Sequence, residues 1–440
     1  MLATSSLIEI LLLVDWNTRV VVIGTAMLGL ASGVIGTSLV LRKRALLGDT
    51  ISHAMLPGVV AAFLIMQAFG GGGKSLPGLL VGAAISGAMA AWLVPVLRRA
   101  TGLKNDAIMG VVLGGGFGLG IAMLGVAQGL PGGNQAGLES FIYGRTASMV
   151  HSDAIGIGVV AVVTLLIAVG LAKEFRLLCF DESFGRVLGR REDLLDWLLM
   201  LLAVTITVVG LQSVGLILVI ALLIIPAATA RFWSDGFVRM MAIAGGVGAM
   251  SCWVGASISA MAPKLPAGAI IVLTLATVFA ASMIFGSRRG AIRRWYRAWG
   301  LLRRTSRQHL LRAASEVMEI SSAEQWSLDD VLEMRSWTRH QLQRLHRRTR
   351  IAGDIAPTSS GAWRMTERGR AAADRVVRNH RLWELFLVRY ADIAASHVDR
   401  DADLVEHVLS AELVAELERS LGQGDAVPMS PHPLRGGTAT

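Results

Sequence analysis

Cysteine is almost absent from this chain. Only Cys179 and Cys252 occur, which excludes a disulfide framework and a thiolate metal site. A basic leader is lacking too: the short apolar run at 11–14 sits between Glu9 and Asp15 with no positive cluster before it, so no cleaved signal peptide is expected. Charge is sparse overall. Charged residues make up 17% of the chain and apolar residues 53%, with a mean hydropathy of +0.56, so a membrane protein is the first expectation. The length, 440 residues, suggests two or three domains.

Apolar runs long enough to cross a bilayer occur at 18–41, 51–69, 77–97, 107–127, 152–172, 239–261 and 266–286. The block 194–230 is too long for one crossing and has Gly210 and Gly215 near its middle. The expectation is therefore an all-α polytopic membrane protein of eight transmembrane helices, nine at most. Basic loops at 42–44, 98–104, 173–191 and 231–239, and everything after Arg288, are expected on the cytoplasmic side. Recurrent small residues, such as Gly24, Gly29, Gly33 and Gly36, or Gly114, Gly115, Gly116, Gly118 and Gly120, read as close helix packing in lipid.

One stretch breaks the apolar pattern from within. Asp49 and His53 stand four residues apart near the start of the second run, on one face of a helix. An ionisable side chain inside a span costs several kcal/mol unless it faces protein or water, which makes the pair a functional-site candidate. Pro57 lacks the N–H that would pair with the carbonyl of His53. Carboxylate oxygen and imidazole nitrogen suit Mn(II), Fe(II) and Zn(II) better than Cu(I).

The run RKRALLGDTISHAMLPG at 42–58 resembles the signature of the permease subunits of ABC-type importers for manganese, zinc and iron, and VGLILVIALLIIPAATAR at 214–231 resembles a second hallmark of that family. The resemblance implies that Asp49 and His53 hold the metal in transit. It implies three kinds of partner: a separate ATPase subunit that hydrolyses ATP, an extracytoplasmic metal-binding protein, and a second permease subunit in a homo- or heterodimer. The chain itself is then no enzyme, and its location is the bacterial inner membrane. The loop FRLLCFDESFGRVLGRR at 175–191 matches the family's ATPase-coupling helix through Asp181, Glu182, Phe184, Gly185 and Gly189, with Gly185 where alanine is common. Two lesser signals have plainer readings. GGGGKS at 70–75 lacks the first glycine of a phosphate-binding loop and has no strand before it, so no nucleotide is expected. His151 and Asp153 open the fifth run and read as helix capping.

After Arg288 the composition changes. From 288 to 350 fifteen Arg stand against six acidic residues, which suggests contact with lipid headgroups or nucleic acid. The expected order is a transmembrane permease domain at 1–287, a basic linker and first cytoplasmic helix at 288–324, a winged helix-turn-helix at 325–370, a helical metal-binding and dimerisation region at 371–421 and a tail at 422–440. Thr338 opens a helix through a Thr-x-x-Gln capping box. That helix carries Arg339, Gln341, Arg344, Arg347, Arg348 and Arg350, a candidate DNA-recognition surface.

Residues 325–421 resemble the metal-responsive repressors of the diphtheria toxin repressor class. His380 and Glu384, and Asp403, Glu406 and His407, fall at spacings that put each set on one helix face, and the resemblance makes them candidate sensor ligands for Mn(II), Fe(II) or Zn(II). Departures are evident: Leu311 and Ala314 stand where the family takes further ligands, only a shifted register offers Glu316 or Glu319, and His397 sits two residues from the usual histidine. The tail is left with two roles, sensing metal or mediating dimerisation. The leading function is thus a divalent-metal permease, Mn(II) or Fe(II) before Zn(II), with a metal-sensing tail. The rival is a metal-dependent DNA-binding regulator carried on, or released from, the membrane. A permease for chelated iron is disfavoured, because a chelate needs no protein ligands along its path.

Overall fold

The computed structural model describes residues 16–69, 75–129, 146, 149–189, 191–261, 265–334, 337–390 and 411–421; most of the Gly-rich run at 70–75 lies outside them. The chain divides into two compact units, Met1–Arg294 and Trp295–Thr440.

In the first unit, nine helical stretches among the described residues are long and apolar enough to cross a membrane, the upper end of the sequence expectation. They are α1 (Trp16–Leu41), a broken span made of α2 (Leu47–Ala54) and α3 (Leu56–Ala68), α4 (Leu76–Thr101), α5 (Asn105–Gln128) and α6 (His151–Gly170). Two short helices follow, α7 (Ala172–Phe180) and α8 (Glu182–Val187), and then α9 (Glu192–Val214), α10 (Leu216–Trp233), α11 (Phe237–Ala260) and α12 (Ala267–Phe285). The long block at 194–230 is two spans. Its joint is Gly215, whose φ of +84° is open to glycine and costly for other residues. The second span breaks at Met55, with Pro57 in the first turn of α3, where its missing N–H costs nothing.

α1 is the hub and packs on α6, α9, α10 and α11. Glycine permits the approach: a Cβ on Gly36 would lie 1.9 Å from the Leu223 carbonyl oxygen of α10, and one on Gly33 2.3 Å from that of Ala244 on α11. Threonine hydroxyls of α1 are satisfied locally: Thr25 donates to the Val21 carbonyl at 2.8 Å and Thr37 to that of Gly33 at 3.0 Å. The glycines of α5 divide. Gly116 packs on Ala54 and Gly120 on Leu56, but a Cβ on Gly114, Gly115 or Gly118 would meet nothing within 4 Å, so within this chain only part of that stripe serves packing. Asp153 caps α6 by accepting from the Val150 N–H at 3.3 Å, as its position suggested.

The second unit takes in most of α13 (Ala291–Ser321), then β1 (Gln325–Trp326), α14 (Leu328–Met334), α15 (Arg339–Ile351), β2 (Ile355–Pro357), β3 (Trp363–Met365), α16 (Glu367–Tyr390) and α17 (Ala411–Leu421). The strands form one antiparallel sheet in the order β1-β3-β2. Leu310, Leu311 and Ala314 of α13 share a core with Trp326, Val331, Leu342, Ile355, Met365 and Ala373, so the helix at 291–321 runs on from the basic segment into this core. Thr338 and Gln341 form the expected capping box, at 3.3 and 3.0 Å.

His346 is buried in this core. Its Nδ1–H donates to the Leu342 carbonyl at 3.1 Å and its Nε2 accepts from the Trp326 indole at 3.3 Å, which describes a neutral ring. Burial holds it below its ordinary value of 6.5. The unfolded chain therefore binds the extra proton first, and stability present above pH 6.5 is lost as pH falls. Hydrogen exchange across 325–365, corrected for intrinsic rate, is expected to accelerate between about pH 7.5 and about pH 5.5. His346→Gln is expected to remove most of that acceleration; an unchanged pH response would contradict the assignment.

Candidate functional site: a carboxylate–imidazole pair in a broken span

α2 starts where the Leu47 N–H donates to the Arg44 carbonyl at 3.0 Å. Leu47, Gly48, Ile51 and Ala54 turn inward, and Gly48 lets the helix lie against Leu223 of α10. The opposite face carries Asp49 and His53. Their side chains meet, Nε2 to Oδ1, at 3.3 Å, and remain 30% and 26% exposed. Phe117 of α5 stands edge-on to the imidazole, with ring centroids 5.0 Å apart. Asp49 also lies in the first turn of α2, where the helix dipole favours a carboxylate. Among the described residues no third His, Cys, Asp or Glu completes a cluster. Two hard-to-intermediate donors, each partly exposed, can together take a divalent cation. They leave its other positions to water or to another chain, which suits a grip that must also release.

The basic run before α2 is structural as well as topological. Arg44 is buried and meets Asp196 of α9 at 2.7 Å; Arg42 meets the same carboxylate at 3.1 Å. Arg42 also donates to the Leu178 carbonyl of α7 at 2.7 Å. The residues that launch α2 are thereby tied to α7 and α9. Sequence reading missed Asp196; the available signal was a lone acid just inside an apolar run.

In the short helices, Asp181 caps α8, its carboxylate accepting from the Phe184 N–H at 3.0 Å. Phe184, Val187 and Leu188 are exposed. Gly185 is buried where a Cβ would meet the Glu192 carboxylate at 2.9 Å, and Gly189 has a φ of +71°. Three of the five residues assigned to this loop, Asp181, Gly185 and Gly189, thus have local physical reasons to be what they are, and Glu182 begins α8. The Cys179 thiol is pushed up to about 12 by burial, which keeps it protonated.

In the second unit His380 and Glu384 of α16 are buried and paired at 3.1 Å. A third partner joins them that spacing did not reveal. Arg312 of α13, also buried, donates to His380 Nδ1 at 2.8 Å and to Glu316 at 2.7 Å. Arg381 reaches Glu319 at 2.5 Å. Asp403, Glu406, His407 and His397 lie outside the described residues. On α15, Arg344, Arg347 and Arg348 are exposed, whereas Arg339 pairs with Asp329 at 2.6 Å and the Gln341 carbonyl is taken by its cap.

Nine apolar helical stretches among the described residues, with an ionisable pair inside one of them, define a polytopic membrane protein. The chain belongs to the ABC 3 transport family, whose model matches residues 16–286. Residues 366–431 match a second model, the iron dependent repressor, metal binding and dimerisation domain. The manganese transport system membrane protein MntC of Bacillus subtilis is 35% identical over 88% of this chain and 87% of its own length. The zinc transport system membrane protein TroC of Treponema pallidum is 38% identical over 65% of this chain and 93% of its own. Among solved structures, PsaBC from Streptococcus pneumoniae superimposes with a TM-score of 0.55 and 27% identity, covering 64% of this chain and 98% of that one.

The repressor-type match implies a bound metal in the second unit; of the candidate ligands, His380 and Glu384 lie among the described residues, paired at 3.1 Å. A guanidinium can only donate, so His380 Nδ1 is its acceptor and Nε2 is left to face Glu384. Arg312 thus holds Nδ1, and the 3.1 Å contact with Glu384 is made by Nε2.

Proposed function

We propose that this chain is the membrane permease of an importer for divalent transition metals, Mn(II) first, and that Asp49 and His53 grip the ion in passage. The observation that carries the reading is the 3.3 Å pair on the open face of a broken membrane-spanning helix. Mn(II) is favoured by an oxygen and nitrogen donor set without thiolate, and by the relative named for manganese that covers most of the chain. A separate ATPase subunit drives the cycle by docking on the exposed apolar side chains of α8. An extracytoplasmic protein delivers the ion, and a second permease subunit supplies the far wall of the path. The second unit lies in the cytoplasm. Proteoliposomes holding the chain with its ATPase and delivery proteins are expected to import Mn(II) only with ATP. Absence of ATP-dependent import, with all components assembled, would refute the reading.

A second reading concerns the tail alone and rests on the exposed Arg344, Arg347 and Arg348 of one helix. That face suits duplex phosphates. The whole chain in detergent is expected to retard a duplex of its own operon's promoter, and replacing the three arginines with Gln to abolish the shift. Equal retardation by that variant would leave the tail as a gating or dimerising module.

A further inference from the structure

One large cavity stands apart from the Asp49–His53 pair. It encloses about 890 Å³ and is lined by Arg42 and Arg44, by Arg98 and Arg99 of α4, by Arg186 and Arg191, and by Glu192, Asp193 and Asp196 of α9. Six guanidinium groups face three carboxylates. Each acid has a guanidinium partner: Arg99 pairs with Asp193, Arg186 with Glu192 at 2.9 Å, and Arg42 and Arg44 with Asp196, while Glu192 Oε1 and Asp196 Oδ1 accept no hydrogen bond among the described residues. Three positive charges are left over, and among the described residues of the lining no fourth carboxylate balances them.

Arg44 shows the imbalance most directly. It is 2% exposed, yet its buried Nε–H has no acceptor among the described residues. Burial and the nearby Arg42 and Arg98 lower its affinity for its proton, against the pull of Asp196. A buried donor without an acceptor carries the full cost of its desolvation, and an anion in the cavity would relieve it.

The remaining wall is apolar. Pro95, Leu194 and Trp197 complete the lining, and Leu194 and Trp197 are exposed on the outer surface of α9. The cavity sits where α1 and α4 end and α9 begins, with Arg186 supplied by α8. For helices that span a bilayer, this is the headgroup level, where basic pockets between helices hold acidic headgroups.

We propose that this cavity binds the phosphate of an anionic phospholipid, with Arg44, Arg98 and Arg191 as its cationic partners and Trp197 and Leu194 along the acyl chain. The site adds to the permease reading and does not depend on which metal is carried. Because the cavity includes the Arg42–Arg44–Asp196 contacts that anchor the start of α2, its occupant stabilises the base on which Asp49 and His53 stand.

Native mass spectrometry of the full chain tests this, with phosphatidylglycerol, phosphatidylcholine and inorganic phosphate offered in turn. One retained phosphatidylglycerol is expected, with phosphatidylcholine held at least tenfold less. Arg98→Gln with Arg191→Gln should lose the retained lipid, and Arg98→Lys with Arg191→Lys should keep it. Equal retention of both lipids, or an unaffected Gln variant, would overturn the proposal. Inorganic phosphate that displaces the lipid at equal concentration would overturn its lipid half and leave a free-phosphate site. Mn(II) binding by the same preparations reports the transport pair separately, so failure of one claim is not mistaken for failure of the other.

Discussion

Asp49→Ala and His53→Ala are each expected to lower ATP-driven Mn(II) uptake by at least about 100-fold, equivalent to about 2.8 kcal/mol of lost ion stabilisation. Assembly with the ATPase subunit should be unchanged. The two side chains supply the donors on the open face of α2 and touch each other at 3.3 Å, so removing one leaves a single ligand for an ion that must shed part of its water. The inward face of α2, built from Leu47, Ile51 and Ala54, is untouched, which is why folding should survive. Asp49→Asn keeps size and shape but removes the negative charge. It should resemble Asp49→Ala if charge is what the ion needs, and the wild type if the residue only positions His53. Normal uptake in both Ala variants would remove the functional role of the pair.

The second large effect is structural. Gly36→Val should yield no monodisperse protein, because its first side-chain carbon would stand 1.9 Å from the Leu223 carbonyl oxygen. A backbone atom in the middle of α10 cannot step aside without moving that helix off the hub. Gly246→Ala on α11 is the control. Nothing lies within 4 Å of its added carbon, and in a helix the exchange is mildly favourable, by about 1 kcal/mol in aqueous hosts. Size-exclusion profiles in detergent separate the outcomes: an aggregated or absent Gly36→Val against a normal Gly246→Ala. A well-behaved Gly36→Val would mean that α1 and α10 do not pack as described.

What could be read from sequence follows from which forces are local. The spans are legible because an apolar run of fixed length has few alternatives in lipid, and Asp49 and His53 stand out because charge inside such a run is costly. The two-span nature of 194–230 turned on one backbone angle at Gly215, for which sequence offers only the presence of glycine. Arg42 and Arg44 read as topological charge. Their partner Asp196 lies 152 residues from Arg44, and no periodicity links residues so distant. The same limit applies in the second unit: His380 and Glu384 have ligand spacing, but Arg312, which donates to His380 Nδ1, comes from 68 residues away. The glycines of α5 looked uniform along the sequence, yet among the described residues only Gly116 and Gly120 face a neighbour.

The central claim is that the passing ion touches this pair. Pulsed electron paramagnetic resonance of Mn(II) held in the assembled transporter, arrested during turnover, tests it most directly. The account requires nitrogen coupling from the His53 imidazole in the wild type and its loss in His53→Gln. Coupling that persists unchanged in that variant, or is absent from the wild type, would contradict it.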